Sequence, residues 1–274
     1  MTILGVIERI AHRHGKTMAR GLMVLILALI WVPIGVVVLM SFAGSGVLSF
    51  PPESYTLKWY VEFFSNTKAI NAILTSLKVS LVATPITVFV SILAAYGISR
   101  YDFPGKGLFQ MFLTLPIVVP LVVTGIAMTL FFGNVNIDAG YGTVVIAHVV
   151  RTVPFAALII IPTVVNFDQT LEEASMDLGA SELRTFRRVT LPNVLPGIIA
   201  GGLLAFTISF NEFVYTYFVR DTATQTLPVY LWGLIRYGFS PMVNVISVFF
   251  LVFVTVILLA ALSLTGLKQL TLRT

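Results

Sequence analysis

Ionisable side chains are scarce in this sequence and unevenly spread. Glu172, Glu173, Asp177, Glu182, Arg184, Arg187 and Arg188 crowd into residues 172–188, between long apolar runs. The remaining candidates stand apart: His148 and Arg151 in AHVVRTVPF, and Asn211 and Glu212 in SFNEF. The chain has no cysteine, so disulfides and thiolate metal sites are excluded. Its three histidines are His12, His14 and His148, and no metal site is expected from them. No glycine-rich phosphate loop ending in Lys and Ser or Thr occurs, so nucleotide hydrolysis would fall to another chain. Nothing suggests a catalytic triad or two carboxylates sharing a pocket. The chemistry open to these residues is charge, hydrogen bonding and docking.

The elements that carry them are set by the solvent. Hydrophobic residues make up 57% of the 274 and charged residues 11%, against about 25% charged in an ordinary soluble domain. Mean hydropathy is +0.96. Apolar runs of about 20 residues with few charges read as membrane helices. A lone apolar strand in lipid would leave its backbone groups unpaired, so the expected fold is all-α. Six spans are expected, near 20–42, 70–98, 108–132, 143–165, 194–218 and 244–266. Arg9, Arg13, Lys16 and Arg20 precede the first apolar run, as in a signal peptide. That run, residues 21–43, exceeds the usual 7–15 residue core of such a signal, so it reads as a retained span.

Lys and Arg set the orientation. With both termini inside, the inner segments hold Arg9, Arg13, Lys16, Arg20, Arg100, Lys106, Arg184, Arg187, Arg188, Lys268 and Arg273, which is eleven. The outer segments hold Lys58, Lys68, Arg220 and Arg236, which is four, while Lys78 and Arg151 fall in or near spans. The asymmetry puts both termini and the charged segment in the cytoplasm. The net charge of +5 is thus a topology signal rather than a nucleic-acid footprint. Residues 1–19 read as a cytoplasmic segment, 20–268 as one six-helix membrane domain, and 269–274 as a cytoplasmic tail. In the outer loop 43–69, Trp59, Tyr60, Phe63 and Phe64 form either an aromatic belt or an interfacial helix.

The charged segment, 168–192 with its flanks, reads as two short helices. Thr170 can cap the first, with Glu172 and Glu173 in its first turn. Leu171, Ala174 and Leu178 fall on one face. Gly179 suits the stop. Ser181 can cap a second helix, in which Leu183 and Phe186 repeat the apolar face and Arg187 and Arg188 close the last turn. Pro192 breaks the pattern before the fifth span. Helices this short need packing to persist. They either dock in another protein's groove or rest on their own helix ends.

Residues 173–192 resemble the EAA loop of binding-protein-dependent ABC importer permeases. The pattern is EAA, three residues, Gly, nine residues, Ile, one residue, Leu-Pro. Here Glu173, Ala174 and Ser175 are followed by MDL, Gly179, nine residues, then Val189, Thr190, Leu191 and Pro192. Ser175 and Val189 depart from the pattern. The likeness extends over most of the chain, including SFNEFVYTYF and TLPVYLWGLIRYGFSP, which resemble spermidine/putrescine-type permease subunits. The resemblance implies that the loop is a coupling helix between spans four and five, seated in a cleft of a cytoplasmic ATPase. The implied coupling set is Glu172, Glu173, Ala174, Asp177, Gly179, Ala180, Leu183, Phe186, Arg187, Leu191 and Pro192. Glu173 and the arginines would address the ATPase, Gly179 would permit the tight turn, and Leu183 and Phe186 would anchor the second helix. The implied partners are a second homologous permease, an ATPase dimer that holds ATP-Mg, and an extracytoplasmic solute-binding protein. The implied location is the bacterial inner membrane, and this chain would bind no cofactor and catalyse nothing.

A charge at membrane depth costs at least ~2.5 kcal/mol, so Glu212 must face a partner or a wet cavity. It either lines the pathway beside Asn211 and attracts a cationic solute, or pairs with Arg151 or a neighbouring subunit. Arg151 shares a helix face with His148. His148 is expected to bridge helices by hydrogen bonds. Gly197 and Gly201 allow close helix approach, against a partner permease or within the subunit. Two other functions remain open at this level. An ion-gradient transporter would use Glu212, His148 and Arg151 as a proton relay. A membrane assembly protein would transport nothing.

Overall fold

The apolar runs fold as helices, because within lipid only a helix satisfies each backbone amide inside its own segment. The computed structural model describes residues 3–45, 49–237 and 240–271, with side chains for 19–45, 49–237, 240–257 and 259. The side chains of Arg9, Arg13, Lys16, His12, His14 and Lys268, and the last three residues with Arg273, lie outside the described residues. In chain order the helices are α1 (Ile3–Met40), α2 (Lys58–Ser65), α3 (Thr67–Arg100), α4 (Lys106–Val118), α5 (Leu121–Asn134), α6 (Tyr141–Val165), α7 (Thr170–Asp177), α8 (Glu182–Thr185), a π-helical turn (Phe186–Thr190), α9 (Leu191–Phe210), α10 (Val214–Val219), α11 (Leu227–Tyr237) and α12 (Met242–Thr271). Apart from one isolated antiparallel bridge, Ala43 to Tyr55, no β structure occurs among the described residues.

Among the described residues, four helical runs are long and apolar enough to cross a bilayer: Ala19–Met40, Thr67–Arg100, Tyr141–Val165 and Glu182–Phe210. A fifth crossing results if the bent pair α4–α5 is one span. The sixth expected span falls in α12, whose described apolar part is Met242–Ile257; its later side chains lie largely outside the described residues.

The chain forms two compact units: Met1–Phe63 with Gly238–Leu251, and Phe64–Tyr237 with Val252–Thr274. In the first, α2 is tied back to the end of α1. Gly44 N–H donates to Ser54 O at 2.8 Å and Thr56 N–H to Phe42 O at 2.7 Å. Trp59 Nε1 donates to Ala43 O at 2.8 Å, and Tyr60 Oη lies 2.7 Å from Ser41 Oγ. Trp59, Tyr60, Phe63 and Phe64 of the 43–69 loop thus lie on a helix, α2.

In the second unit, α3, α6 and α9 pack around one core. Ala95, Ala156, Ile160, Val164, Val194, Ile198 and Ala205 form its heart. Lipid gives helices no hydrophobic reason to associate, so small residues and hydroxyl bonds hold such bundles. Thr87 and Thr152 hydroxyls meet at 2.7 Å, and Ser91 Oγ donates to Val153 O at 3.3 Å. A Cβ on Gly197 would collide with Thr163, and one on Gly201 would lie 2.8 Å from Ile160 Cγ1 and 3.2 Å from Ala156 O. The close approach offered by these glycines is therefore used inside the subunit, between α9 and α6.

Two expected spans are shaped differently from their sequence outlines. The 108–132 span is broken: α4 and α5 meet at 109°. Pro120 pushes Val119 into extended backbone, ψ 133°, because a residue before proline is barred from the helical region. The 194–218 span ends as a helix at Phe210 and resumes as α10 after Asn211–Phe213. At its other end the second short helix and the fifth span are one run, Glu182–Phe210. Pro192 does not interrupt it. The π turn shifts the register, so that Leu191 N–H donates to Phe186 O and Pro192 falls in the first turn of α9, where no N–H is required. Finally, α11 has no counterpart among the expected spans; its Leu227, Val229 and Tyr230 are buried.

Candidate functional site

The charged segment forms a helix, a tight turn and a second helix. The N-cap position of the first helix is Gln169, whose side chain makes no cap bond; the bond to the helix start comes from Asp168, not from Thr170. Asp168 Oδ1 accepts from Thr170 N–H at 3.0 Å and from Thr170 Oγ1 at 2.8 Å. Those bonds hold the Asp168 carboxyl below its usual pKa, so it stays ionised. Thr170 is the first residue of α7, and the acidic first turn holds Glu172 and Glu173 as expected. The far end closes on Gly179, at φ +86°. Ala180 N–H donates to Ser175 O at 3.1 Å and Gly179 N–H to Met176 O at 2.9 Å. This crossed pair is the Schellman stop, and it needs a left-handed residue where Gly179 stands. Ser181 occupies the N-cap of α8 with extended backbone, but its side chain makes no capping bond. Ser175 Oγ lies 3.0 Å from Thr185 Oγ1 and ties α7 to α8. An alanine at 175, as in the family pattern, has no hydroxyl for that tie.

The apolar edge of this loop is bare. Leu178 is 91% exposed and Leu183 59%, and Leu171 and Met176 are exposed with them. Ala174, Glu173, Asp177, Arg184, Arg187, Arg188 and Pro192 are also exposed, while Ala180 and Leu191 are half-buried. Leu183, though mostly exposed, lines a cavity with Ile92, Leu93 and Tyr96 of α3. Phe186 lines it too, and its ring meets Tyr96 edge-on at 5.5 Å.

One member of the expected coupling set faces the other way. Glu172 is 4% exposed. Its Oε2 accepts from Arg100 Nε at 2.7 Å, and its Oε1 accepts from Thr190 Oγ1 at 2.5 Å. Glu172 thus makes its contacts inside the chain rather than on the loop's exposed edge. Its partner lies 72 residues away in sequence, and no local pattern marks the pairing.

The intramembrane candidates lie on α6 and at the α9–α10 break. His148 is buried on α6, with Nδ1 2.7 Å from Ser209 Oγ of α9 and Nε2 2.8 Å from Thr216 Oγ1 of α10. It bridges three helices. Thr216 N–H donates to Glu212 Oε2 at 3.1 Å, so the Glu212 carboxylate caps the start of α10, where an anion is favoured. Arg151 makes no ion pair with Glu212; its guanidinium lies 4.8 Å from the Phe155 ring. Asn211 is exposed at the break, its amide donating to Thr207 O at 3.0 Å. Sequence reasoning missed Ser209 and Thr216, whose hydroxyls join His148 to the break and which no local spacing singles out.

A helical membrane subunit with an unpartnered, charge-rimmed loop between two spans is the general type these features define. Residues 87–270 match the family described as binding-protein-dependent transport system inner membrane component, and the chain belongs to it. It is 30% identical to the spermidine/putrescine transport system permease protein PotC of Haemophilus influenzae, covering 92% of this chain and 95% of that one. It is 31% identical to the putrescine transport system permease protein PotI of Escherichia coli K12, covering 80% of each. The fold also matches a crystal structure of a bacterial ABC transporter involved in import of the acidic polysaccharide alginate, with TM-score 0.72 over 95% of this chain and 98% of that one, at 17% identity. The chain is therefore a multi-pass membrane permease subunit of the ABC importer type, and neither the proton-relay nor the assembly reading is needed.

Proposed function

We propose that this chain is one of two homologous membrane subunits of an ATP-driven importer, and that it carries a polyamine or related cationic organic solute inward from an extracytoplasmic binding protein. The observation that carries the reading is the bare edge of α7 and α8. Leu178 and Leu183 are exposed beside Glu173, Asp177, Arg184 and Arg187, and the chain covers none of them. A short helix with an apolar edge and a charged rim suits a groove on another protein. Here that protein is an ATPase dimer holding ATP-Mg, since this chain has no phosphate loop of its own. The six-span count, the cytoplasmic place of both termini and the inner-membrane site follow from this reading.

The solute path is assigned to the two helix breaks. At Val119–Pro120 and at Asn211–Phe213 the backbone leaves the helix at apolar depth. Irregular backbone there must be enclosed by protein or face a wet cavity. The exposed Asn211 lines that cavity, with Glu212 behind it supplying negative potential suited to ammonium groups and with Arg151 and His148 fixing the wall. The polyamine specificity of the two relatives supports this solute class. The test is to purify the permease with its ATPase and measure hydrolysis on adding binding protein loaded with spermidine or putrescine. Stimulation by a loaded binding protein is expected. Uptake that survives ATP depletion at a fixed proton gradient would refute the proposal.

A further inference from the structure

Glu172 is the one acidic side chain of the charged segment turned inward, and it spends both oxygens on two different spans. Arg100 is the last residue of α3 and Thr190 the last of the π turn that leads into α9. Arg100 and Glu172 side chains are 9% and 5% exposed. Arg100 Nη2 is buried without a partner among the described residues, and Arg100 Nε donates to Glu172. A buried ion pair is a weak source of net stability, because desolvating both charges offsets their attraction. What it supplies is fixed geometry. The other side-chain ties of α7, Ser175 to Thr185 and Thr170 to Asp168, stay within the same segment. The connection from α7 to α3 therefore runs through one carboxylate.

We propose that Glu172, Arg100 and Thr190 form a latch that makes α7 move as one body with the adjoining ends of α3 and α9. The proposal rests on the coupling reading above and adds the route by which movement leaves the loop. A displacement of α7 by its partner is then delivered to α3, a helix of 34 residues and so about 50 Å long, and to the run into α9. Phe186 against Tyr96 braces the same junction. The three are positioning residues: none touches solute or nucleotide.

The test uses the complete complex in proteoliposomes, reading ATP hydrolysis, ATPase retention and solute imported per ATP. In Glu172→Gln the ATPase is expected to stay bound and active while import per ATP falls about tenfold or more; Thr190→Val is expected to lower it about threefold and Thr190→Ser to leave it unchanged. Import per ATP equal to wild type in Glu172→Gln overturns the latch. If that variant fails to assemble, the Thr190 pair decides, since Val keeps the shape and Ser keeps the hydroxyl: equal coupling in both overturns it. A second arm uses the absence of cysteine in the chain. Arg100→Cys with Glu172→Cys is expected to be uncoupled when reduced and to regain import per ATP when bridged by a short bis-methanethiosulfonate. Bridging without recovery overturns the proposal. Loss of the underlying reading looks different, because wild type itself would then show no ATP-dependent import.

Discussion

At Gly179 the chain turns with φ +86°, and a Cβ built there would meet no heavy atom within 4 Å. Space is free, so the demand on this residue is conformational. An L side chain held left-handed costs roughly 1–2 kcal/mol, least for Asn, whose short polar side chain bonds locally. Gly179→Asn is therefore expected to retain most uptake, whereas Gly179→Val is expected to lose it with the complex still assembled. Equal uptake in the two would show that the turn is not strained. Glu212 poses the opposite question, since its carboxylate both caps α10 and charges the proposed path. Glu212→Gln leaves an oxygen for the Thr216 amide but removes the charge; Glu212→Ala removes both. The expected pattern is near-normal thermal stability in detergent with weaker spermidine uptake for Gln. For Ala the expectation is a further stability loss of about 1 kcal/mol, the usual cost of a lost cap. Unchanged uptake in Glu212→Gln would leave the residue a cap only.

Between helices, the tight contact of α9 on α6 makes a clean contrast with α5. A methyl group added at Gly133 of α5 would have nothing within 4 Å, whereas at Gly201 the same methyl would press on Ile160 and on the Ala156 carbonyl. Alanine favours a helix over glycine by about 1 kcal/mol, and overpacking costs about 1–3 kcal/mol. Gly133→Ala is expected to leave or raise the unfolding temperature in detergent, and Gly201→Ala to lower it; the same sign at both sites would contradict the packing. The GxxxG spacing is legible in the sequence, but whether it meets α6 or another subunit is not, because spacing carries no partner. The broken span has a signal, Pro116 and Pro120 one helical turn apart, yet proline is common in membrane helices and either alone bends without breaking. The two short helices and the Gly179 stop are legible because capping is local. Thr170 passes for the cap because Asp168, two residues earlier, is equally suited and makes the bond. The continuity of α8 into α9 is hidden because a π turn leaves no mark that distinguishes it from a break at Pro192. Glu172 with Arg100 is a long-range pair, and local periodicity holds no information about it.

Taken as a whole, the chain is legible mainly through its solvent. Apolar runs dictate the all-α class, and the proposed cytoplasmic place of the charged segment rests on eleven basic residues in the inner segments against four in the outer. That inference can be tested without any knowledge of the solute, because the chain has no cysteine and each introduced thiol reports its own side of the membrane. Glu173 and Glu53 are both exposed; the first lies in α7 and the second in the loop after α1. In intact spheroplasts a membrane-impermeant maleimide is expected to label Glu53→Cys and to miss Glu173→Cys. In inverted vesicles the pattern is expected to reverse. Adding the ATPase to inverted vesicles is then expected to protect the thiol of Glu173→Cys, since the bare edge of α7 beside Leu178 would be covered. Labelling of Glu173→Cys from outside would invert the topology and remove the cytoplasmic engine from the reading, whereas correct sidedness without protection would keep the topology and reject α7 as its docking point.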